Sequence, residues 1–144
     1  MISLRTAAID YSHGDQYSYT QAMLQLPMVE FVALGDPDPE RRNRAKSLVQ
    51  RFGAEVSAYE DYQDLLARDD VDAVVICSPN ADHHGMTLDA ARARKHVLCQ
   101  KPLGVTTAQA DDMIRQCSEQ GVLLGTAYPC RFAPVMWEMK RRVE

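Results

Sequence analysis

No apolar run in this chain approaches the ~20 residues that a membrane-spanning helix needs. The start, Met1-Ile2-Ser3-Leu4-Arg5, lacks the apolar core of a secretion signal. There is no excess of basic residues: 16 Lys and Arg stand against 20 Asp and Glu, for a net charge of −4. A nucleic-acid-binding domain is usually basic, so neither a nucleic acid nor a membrane is expected as a partner. Cysteines are few. Cys77, Cys99, Cys117 and Cys130 have neither close pairing nor metal-ligand spacing. They read as free thiols in a reducing compartment, so the expected location is cytoplasmic and no metal site is expected. Internal repeats and low-complexity segments are missing as well. What is present is a 144-residue chain, long enough for one domain. At that length a fold buries ~68–70% of its unfolded surface without disulfides or metals.

Apolar runs of strand length alternate with segments of helical period. Arg5–Asp10, Val29–Leu34, Ala54–Ala58, Asp72–Cys77, His96–Cys99 and Val122–Thr126 read as strands. Helices are expected over Tyr17–Leu26, from Asp38 to Gly53, around Tyr62 to Leu66, over Asp82–Ala93, from Thr106 to Gly121, and over Ala133–Arg142. The second of these is the clearest. Asp38 stands at the N-cap with Pro39 at the first helical position, and Ala45, Leu48, Val49 and Phe52 form its apolar face. Gly53 supplies its stop. Thr106-x-x-Gln109 has the form of a capping box, and Ala110, Met113, Ile114 and Cys117 follow as an apolar stripe. Alternation of this kind predicts an α/β fold with a parallel sheet and right-handed crossovers. Six strands fit a Rossmann-type doubly wound sheet of order 3-2-1-4-5-6 in a single domain.

Two strand ends carry polar groups. Val71–Cys77 runs into Ser78-Pro79-Asn80, and His96–Cys99 runs into Gln100-Lys101-Pro102. In open α/β sheets the crevice outside the carboxyl ends of the strands is where ligands bind. A lone Lys-Pro is more often a surface lysine and a strand stop; two such ends make a functional site the better reading.

Four stretches, taken together, resemble the glucose–fructose oxidoreductase and inositol dehydrogenase (Gfo/Idh/MocA) family. They are Asp36-Pro-Asp-Pro-Glu-Arg41, Asp72-Ala-Val-Val-Ile-Cys-Ser-Pro-Asn80 with His83, Lys95-His-Val-Leu-Cys-Gln-Lys-Pro102, and Tyr128-Pro-Cys-Arg-Phe-Ala-Pro134. The resemblance implies hydride transfer between NAD, or less favourably NADP, and a sugar, polyol or related small molecule. It implies a nucleotide-binding domain over residues 1–126. Residues 127–144 would be an exit segment and helix leading to a C-terminal domain that the chain does not contain. The chain alone is then expected not to turn over substrate, to leave Val135, Met136 and Trp137 partly uncovered, and to self-associate as a homo-oligomer.

Three departures stand out. The glycine-rich first turn is missing, with Asp10, Ser12 and Asp15 roughly where small residues belong. Gln100 replaces an acid before Lys101, and Arg94 replaces a glycine before Lys95. These leave a second reading open, a non-catalytic nucleotide- or ligand-binding regulatory module of the same fold. A phospho-receiver domain is disfavoured, because the third strand does not end in a phosphoacceptor Asp.

By the same resemblance, Lys101 is the catalytic candidate, a cation that can stabilise developing alkoxide charge. Its Lys-Pro bond is expected to be cis. Ser12, His13, Asp36, Arg41, Ser78, Pro79, Asn80, His83 and Gln100 are the cofactor-binding candidates alongside it, and Arg131 is a substrate or domain-interface candidate. Asp36, 26 residues beyond Asp10, would accept hydrogen bonds from the ribose hydroxyls. It would also repel a 2′-phosphate, hence NAD before NADP. The bland alternatives are an Asx-turn for Asp36, a solvated helix charge for Arg41, a plain strand-to-helix turn for Ser78 to Asn80, a structural hydrogen bond for His83 and a surface arginine for Arg131.

Overall fold

A computed structural model describes residues 3–144; Met1 and Ile2, part of the stretch read above for a secretion signal, lie outside the described residues. Six strands form one parallel sheet: β1 (Leu4–Ile9), β2 (Val29–Gly35), β3 (Ser57–Tyr59), β4 (Ala73–Ile76), β5 (His96–Gln100) and β6 (Leu124–Ala127). Their order is β3-β2-β1-β4-β5-β6, the doubly wound order expected. The connecting helices are α1 (Asp15–Gln25), α2 (Pro39–Arg51), α3 (Tyr62–Leu66), α4 (His83–Arg92) and α5 (Thr107–Glu119). A 3-10 turn, Pro129–Phe132, and α6 (Pro134–Val143) follow the last strand.

The apolar runs are continuous because both sheet faces are covered. Along β4, Val74 and Ile76 join a core with Ile9, Leu65, Val97, Cys99 and Met113. Val75 and Cys77 point the other way, into a core with Ala8, Tyr11, Leu34 and Val49. The short β1–β4 register, Ile9 opposite Ile76, brings the two halves of the fold together at the point where strand order reverses. Burial drives the Cys77 thiol far above its usual range and the Cys99 thiol up to about 12, so both behave as small core hydrophobes.

Helix ends follow their local chemistry. The Asp38 carboxylate accepts from the N–H groups of Glu40 and Arg41 at 2.8 and 3.0 Å, and Pro39 opens α2 as expected. Gly53 closes it at φ 74°. Thr106 accepts from Gln109 N at 3.2 Å, but the Gln109 side chain reaches Val105 N instead of closing a reciprocal box. Several expectations are corrected. α1 begins at Asp15, two residues early, because its first buried side chain is the polar Gln16. β3 is only Ser57–Tyr59, an edge strand with a single neighbour. Ile114 and Phe52 are exposed, Ile114 because it lies on the outer face of α5 and Phe52 because it is the C-cap of α2. Asp82 sits at the N-cap of α4 without a side-chain capping bond.

Two non-glycine residues have left-handed backbones, Asp10 at φ 67° and Arg94 at φ 61°. Arg94 stands where the sequence lacks an expected glycine, and it keeps the glycine-like conformation at a cost of ~1 kcal/mol. α6 packs mainly on the preceding 3-10 turn. Val135, Met136 and Trp137 are exposed, with Trp137 at 58%.

Candidate functional site

The carboxyl edge of the sheet collects the polar residues. Asp36 follows β2, Asp10 follows β1, Ser78 lies just beyond β4, and Lys101 follows Gln100 at the end of β5. Parallel register makes this unavoidable: strands that run the same way end on the same side. Next to β5, Gln100 pairs with Ala127 of β6, so Tyr128 emerges beside Lys101.

Asp36 is buried and its carboxylate is saturated. One oxygen accepts from Tyr11 N at 2.6 Å and Arg41 Nε at 2.9 Å; the other accepts from Asp38 N at 2.8 Å and Arg41 Nε at 3.1 Å. Arg41 is therefore an ion-pair partner with a hydrogen-bonded guanidinium, not a solvated helix charge, and its pKa is raised chiefly by the bond to Asp36. Arg42 donates to the carbonyls of Asp36 and Pro37 at 2.6 and 2.9 Å. Arg44 lies 4.5 Å from the Tyr17 ring centroid.

The first turn spends its own donors. Ser12 N donates to Asp10 Oδ1 at 2.7 Å, and Asp15 N donates to His13 Nδ1 at 3.3 Å. Ser12 and His13 are both exposed. Asp15 is held from across the crevice: Gln100 Nε2 donates to its carboxylate at 2.5 Å, while Gln100 Oε1 accepts from Lys101 N at 2.9 Å. Gln100 thus both donates and accepts, as an ionised carboxylate there could not. The Lys101–Pro102 bond is cis.

His83 is fully buried, and it ties two loops together. Its Nδ1 is 2.8 Å from the Pro102 carbonyl and its Nε2 is 3.0 Å from the Ser78 carbonyl. In either neutral tautomer one of these is a donated hydrogen bond. His83 therefore braces the loop after β4 against the Lys101–Pro102 turn. Pro79 and Asn80 are exposed on that first loop. Ser78 is buried, and its hydroxyl has no hydrogen-bond partner among the described residues; nor does Gln16 Oε1. Gln16 and Thr20 were missed in the sequence. Gln16 Nε2 donates to Val75 O at 3.2 Å and Thr20 bonds the Tyr11 hydroxyl at 2.8 Å. Their spacing of four, in line with Met23 on the inward side of α1, was the available signal.

Lys101 and Arg131 are both exposed and line one concavity of about 450 Å³ with Tyr128, Pro129 and Cys130. The structure thus divides the candidates. Ser12, His13, Asp36 and Arg41 gather at the β1–β2 end; Ser78, His83, Gln100 and Lys101 gather at the β4–β5 end; Arg131 stands beside Lys101. Among the described residues no cluster suits a metal ion, and no helix is long and apolar enough to cross a membrane.

A family model described as an oxidoreductase family with an NAD-binding Rossmann fold matches residues 7–128. The chain is 33% identical over 119 residues to myo-inositol 2-dehydrogenase of Thermotoga maritima, covering 83% of this chain and 35% of that one. It is 26% identical to a scyllo-inositol 2-dehydrogenase (NAD(+)) of Bacillus subtilis, covering 98% and 40%. The crystal structure of KijD10, a 3-ketoreductase from Actinomadura kijaniata in complex with NADP and TDP-benzene, superposes with a TM-score of 0.86 at 30% identity, covering 98% of this chain and 42% of that one. The chain spans less than half the length of these relatives. With its fold, its strand-end residues and a family match over most of its length, the chain belongs to the Gfo/Idh/MocA oxidoreductase family.

Proposed function

We propose that this chain is the nicotinamide-dinucleotide-binding part of an oxidoreductase that acts on a hydroxyl of a sugar, polyol or related small molecule. The observation that carries this is the convergence of Ser78, His83, Gln100 and Lys101 beside the β1–β4 switch point. The buried Ser78 hydroxyl and Gln16 carbonyl, both without a hydrogen-bond partner among the described residues, fit a polar ligand in this crevice. When bound, the cofactor would accept or give a hydride at the substrate carbon. The chain's own residues do the rest. Lys101 faces the reacting hydroxyl and stabilises negative charge on its oxygen. Gln100 fixes the Lys101 backbone, and His83 fixes the turn that follows. Residues 127–144 form the exit segment of this domain, and Arg131 belongs to the substrate end.

NAD suits the adenosine end better than NADP. Arg41 is engaged by Asp36 and Arg42 by backbone carbonyls, so neither is free for a 2′-phosphate. For Asp36 to accept ribose hydroxyls, Arg41 must move aside, which weakens binding. The chain on its own is expected to bind NADH in the range of roughly 0.1–10 mM, or ~3–5 kcal/mol. Cytoplasmic location fits the four free thiols, and the exposed α6 fits self-association.

One observation favours a second reading. Asp15, latched by Gln100, puts a carboxylate at the helix end where a pyrophosphate would sit, as a regulatory module that had lost the chemistry could. Calorimetric titration with NADH separates the two. Binding weakened by Ser78→Ala supports the first, and no binding at ~10 mM supports the second.

A further inference from the structure

The concavity beside Lys101 has an unusual charge balance for this molecule. The chain as a whole is acidic, with a net charge of −4. At the β1–β2 end of the crevice, carboxylates and arginines neutralise one another, Asp36 with Arg41 and Glu60 with Arg42. At the β5–β6 end two cations line one concavity whose remaining walls are Tyr128, Pro129 and Cys130. No carboxylate lines it, and among the described residues neither Lys101 Nζ nor the Arg131 guanidinium has a hydrogen-bond acceptor or ion-pair partner. The fold puts them there. Lys101 leaves the end of β5, Ala127 is its strand-paired neighbour's last residue, and the 3-10 turn Pro129–Phe132 carries Arg131 over the same strand end.

We propose that Arg131 anchors an oxyanion and that the substrate of this crevice carries a carboxylate or a phosphate in addition to the hydroxyl that reacts. This rests on the reading of Lys101 as the residue facing that hydroxyl. A neutral polyol leaves the Arg131 guanidinium without a counter-ion, whereas a planar or tetrahedral oxyanion matches its fork of N–H donors. Two like charges in a concave site with apolar walls also focus the field on an incoming anion. The proposal narrows the substrate to acidic sugars, hydroxy acids and phosphorylated sugars or polyols.

Cys130 is a reporter built into the same wall. It is the exposed cysteine among the four, while Cys77, Cys99 and Cys117 are buried and their thiols are pushed up by burial. Alkylation of the native chain is therefore confined to Cys130. The measurement is the rate ratio of iodoacetate, an anion, to iodoacetamide, its neutral analogue, at Cys130; the ratio cancels the thiolate fraction. The ratio in the urea-unfolded chain is the reference. The expected native ratio is about fivefold above that reference, falling toward it with Arg131→Gln, staying high with Arg131→Lys, and falling in ~0.5 M salt. Protection then identifies the anion. Protection by inorganic phosphate alone indicates a phosphate-bearing substrate, and protection by gluconate indicates a carboxylate; the neutral sorbitol should protect less than either. A native ratio equal to the unfolded one, a ratio indifferent to Arg131→Gln, equal protection by sorbitol, or no protection by either anion would each overturn the proposal. NADH titration of the same samples is scored separately, so loss of the nucleotide-binding reading shows as absent NADH binding with the Cys130 ratio intact.

Discussion

Replacing Asp15 by Asn removes one negative charge from the first turn while keeping an oxygen that can accept from Gln100 Nε2. The turn is where a dinucleotide's pyrophosphate would meet the start of α1. There the structure offers a carboxylate in place of open backbone donors, and the N–H groups of Tyr11, Ser12 and Asp15 are already bonded to Asp36, Asp10 and His13. A carboxylate ~6 Å from a phosphate charge costs about 3 kcal/mol at an effective dielectric near 20. The Asp15 side chain is 45% exposed, so solvent and salt remove much of that. About 1 kcal/mol should survive, which is a roughly fivefold tighter NADH Kd for Asp15→Asn. Asp15→Gly should gain at least as much, because it also releases the contact to Gln100. Calorimetric titration at low salt, repeated at ~0.5 M, is the assay, and the gap between variant and parent should narrow at high salt. Unchanged or weaker binding by Asp15→Asn at low salt would refute the electrostatic argument and place the phosphates elsewhere.

Three further outcomes follow from the same structure. Asp36→Ala should cost about 3 kcal/mol in urea unfolding, because Arg41, the buried Tyr11 N–H and the half-buried Asp38 N–H lose their acceptor; a change below ~1 kcal/mol would show that water replaces the carboxylate without loss. Arg94→Gly should raise stability by up to ~1 kcal/mol, since only the left-handed backbone conformation is at stake apart from a weak 3.3 Å bond to Gln120 O; destabilisation would mean that this bond matters more than the backbone. Asp72, held by Arg5, has its pKa lowered to about 2, so its contribution is present above the usual carboxylate pKa and lost as pH falls from about 4 to about 2. The pair is partly exposed, so the loss is about 1 kcal/mol at most, and Asp72→Asn should flatten that part of the acid-denaturation profile.

The sheet order was legible because the central strand β4 is an unbroken apolar run, the other strand segments alternate with helical ones, and α2 and α5 carry helix-end signals of their own. Asp38 with Pro39, Thr106, Gly53 and Gly121 marked helix ends through chemistry local to a few residues. Strand-end placement of Ser78 and Lys101 followed from the parallel sheet alone. Pairings across the crevice were not legible. Asp15 and Gln100 are 85 residues apart, and each read singly as a defect in an expected motif; together they are a hydrogen-bonded pair. Asp36 read as an open carboxylate because nothing local shows that Tyr11 N and Arg41 close over it. Gln16 and Thr20 were hidden because they are the polar members of the inward face of α1, which continues in Met23, and periodicity of apolar residues is blind to polar members of a face. Ile114 erred the other way: helical spacing placed it on an apolar stripe that is narrower than the pattern implies.

The central claim is that the crevice at the β1–β4 switch point holds a nicotinamide dinucleotide. Backbone amide shifts of the 15N-labelled chain, followed during titration with NADH, test it most directly. Saturable changes are expected at Ser12–Gly14, Ser78, Asn80, Gln100 and Lys101, with a Kd between roughly 0.1 and 10 mM. No shift at ~10 mM NADH, or shifts centred on the opposite edge of the sheet around Glu30, Glu55 and Arg68, would contradict it.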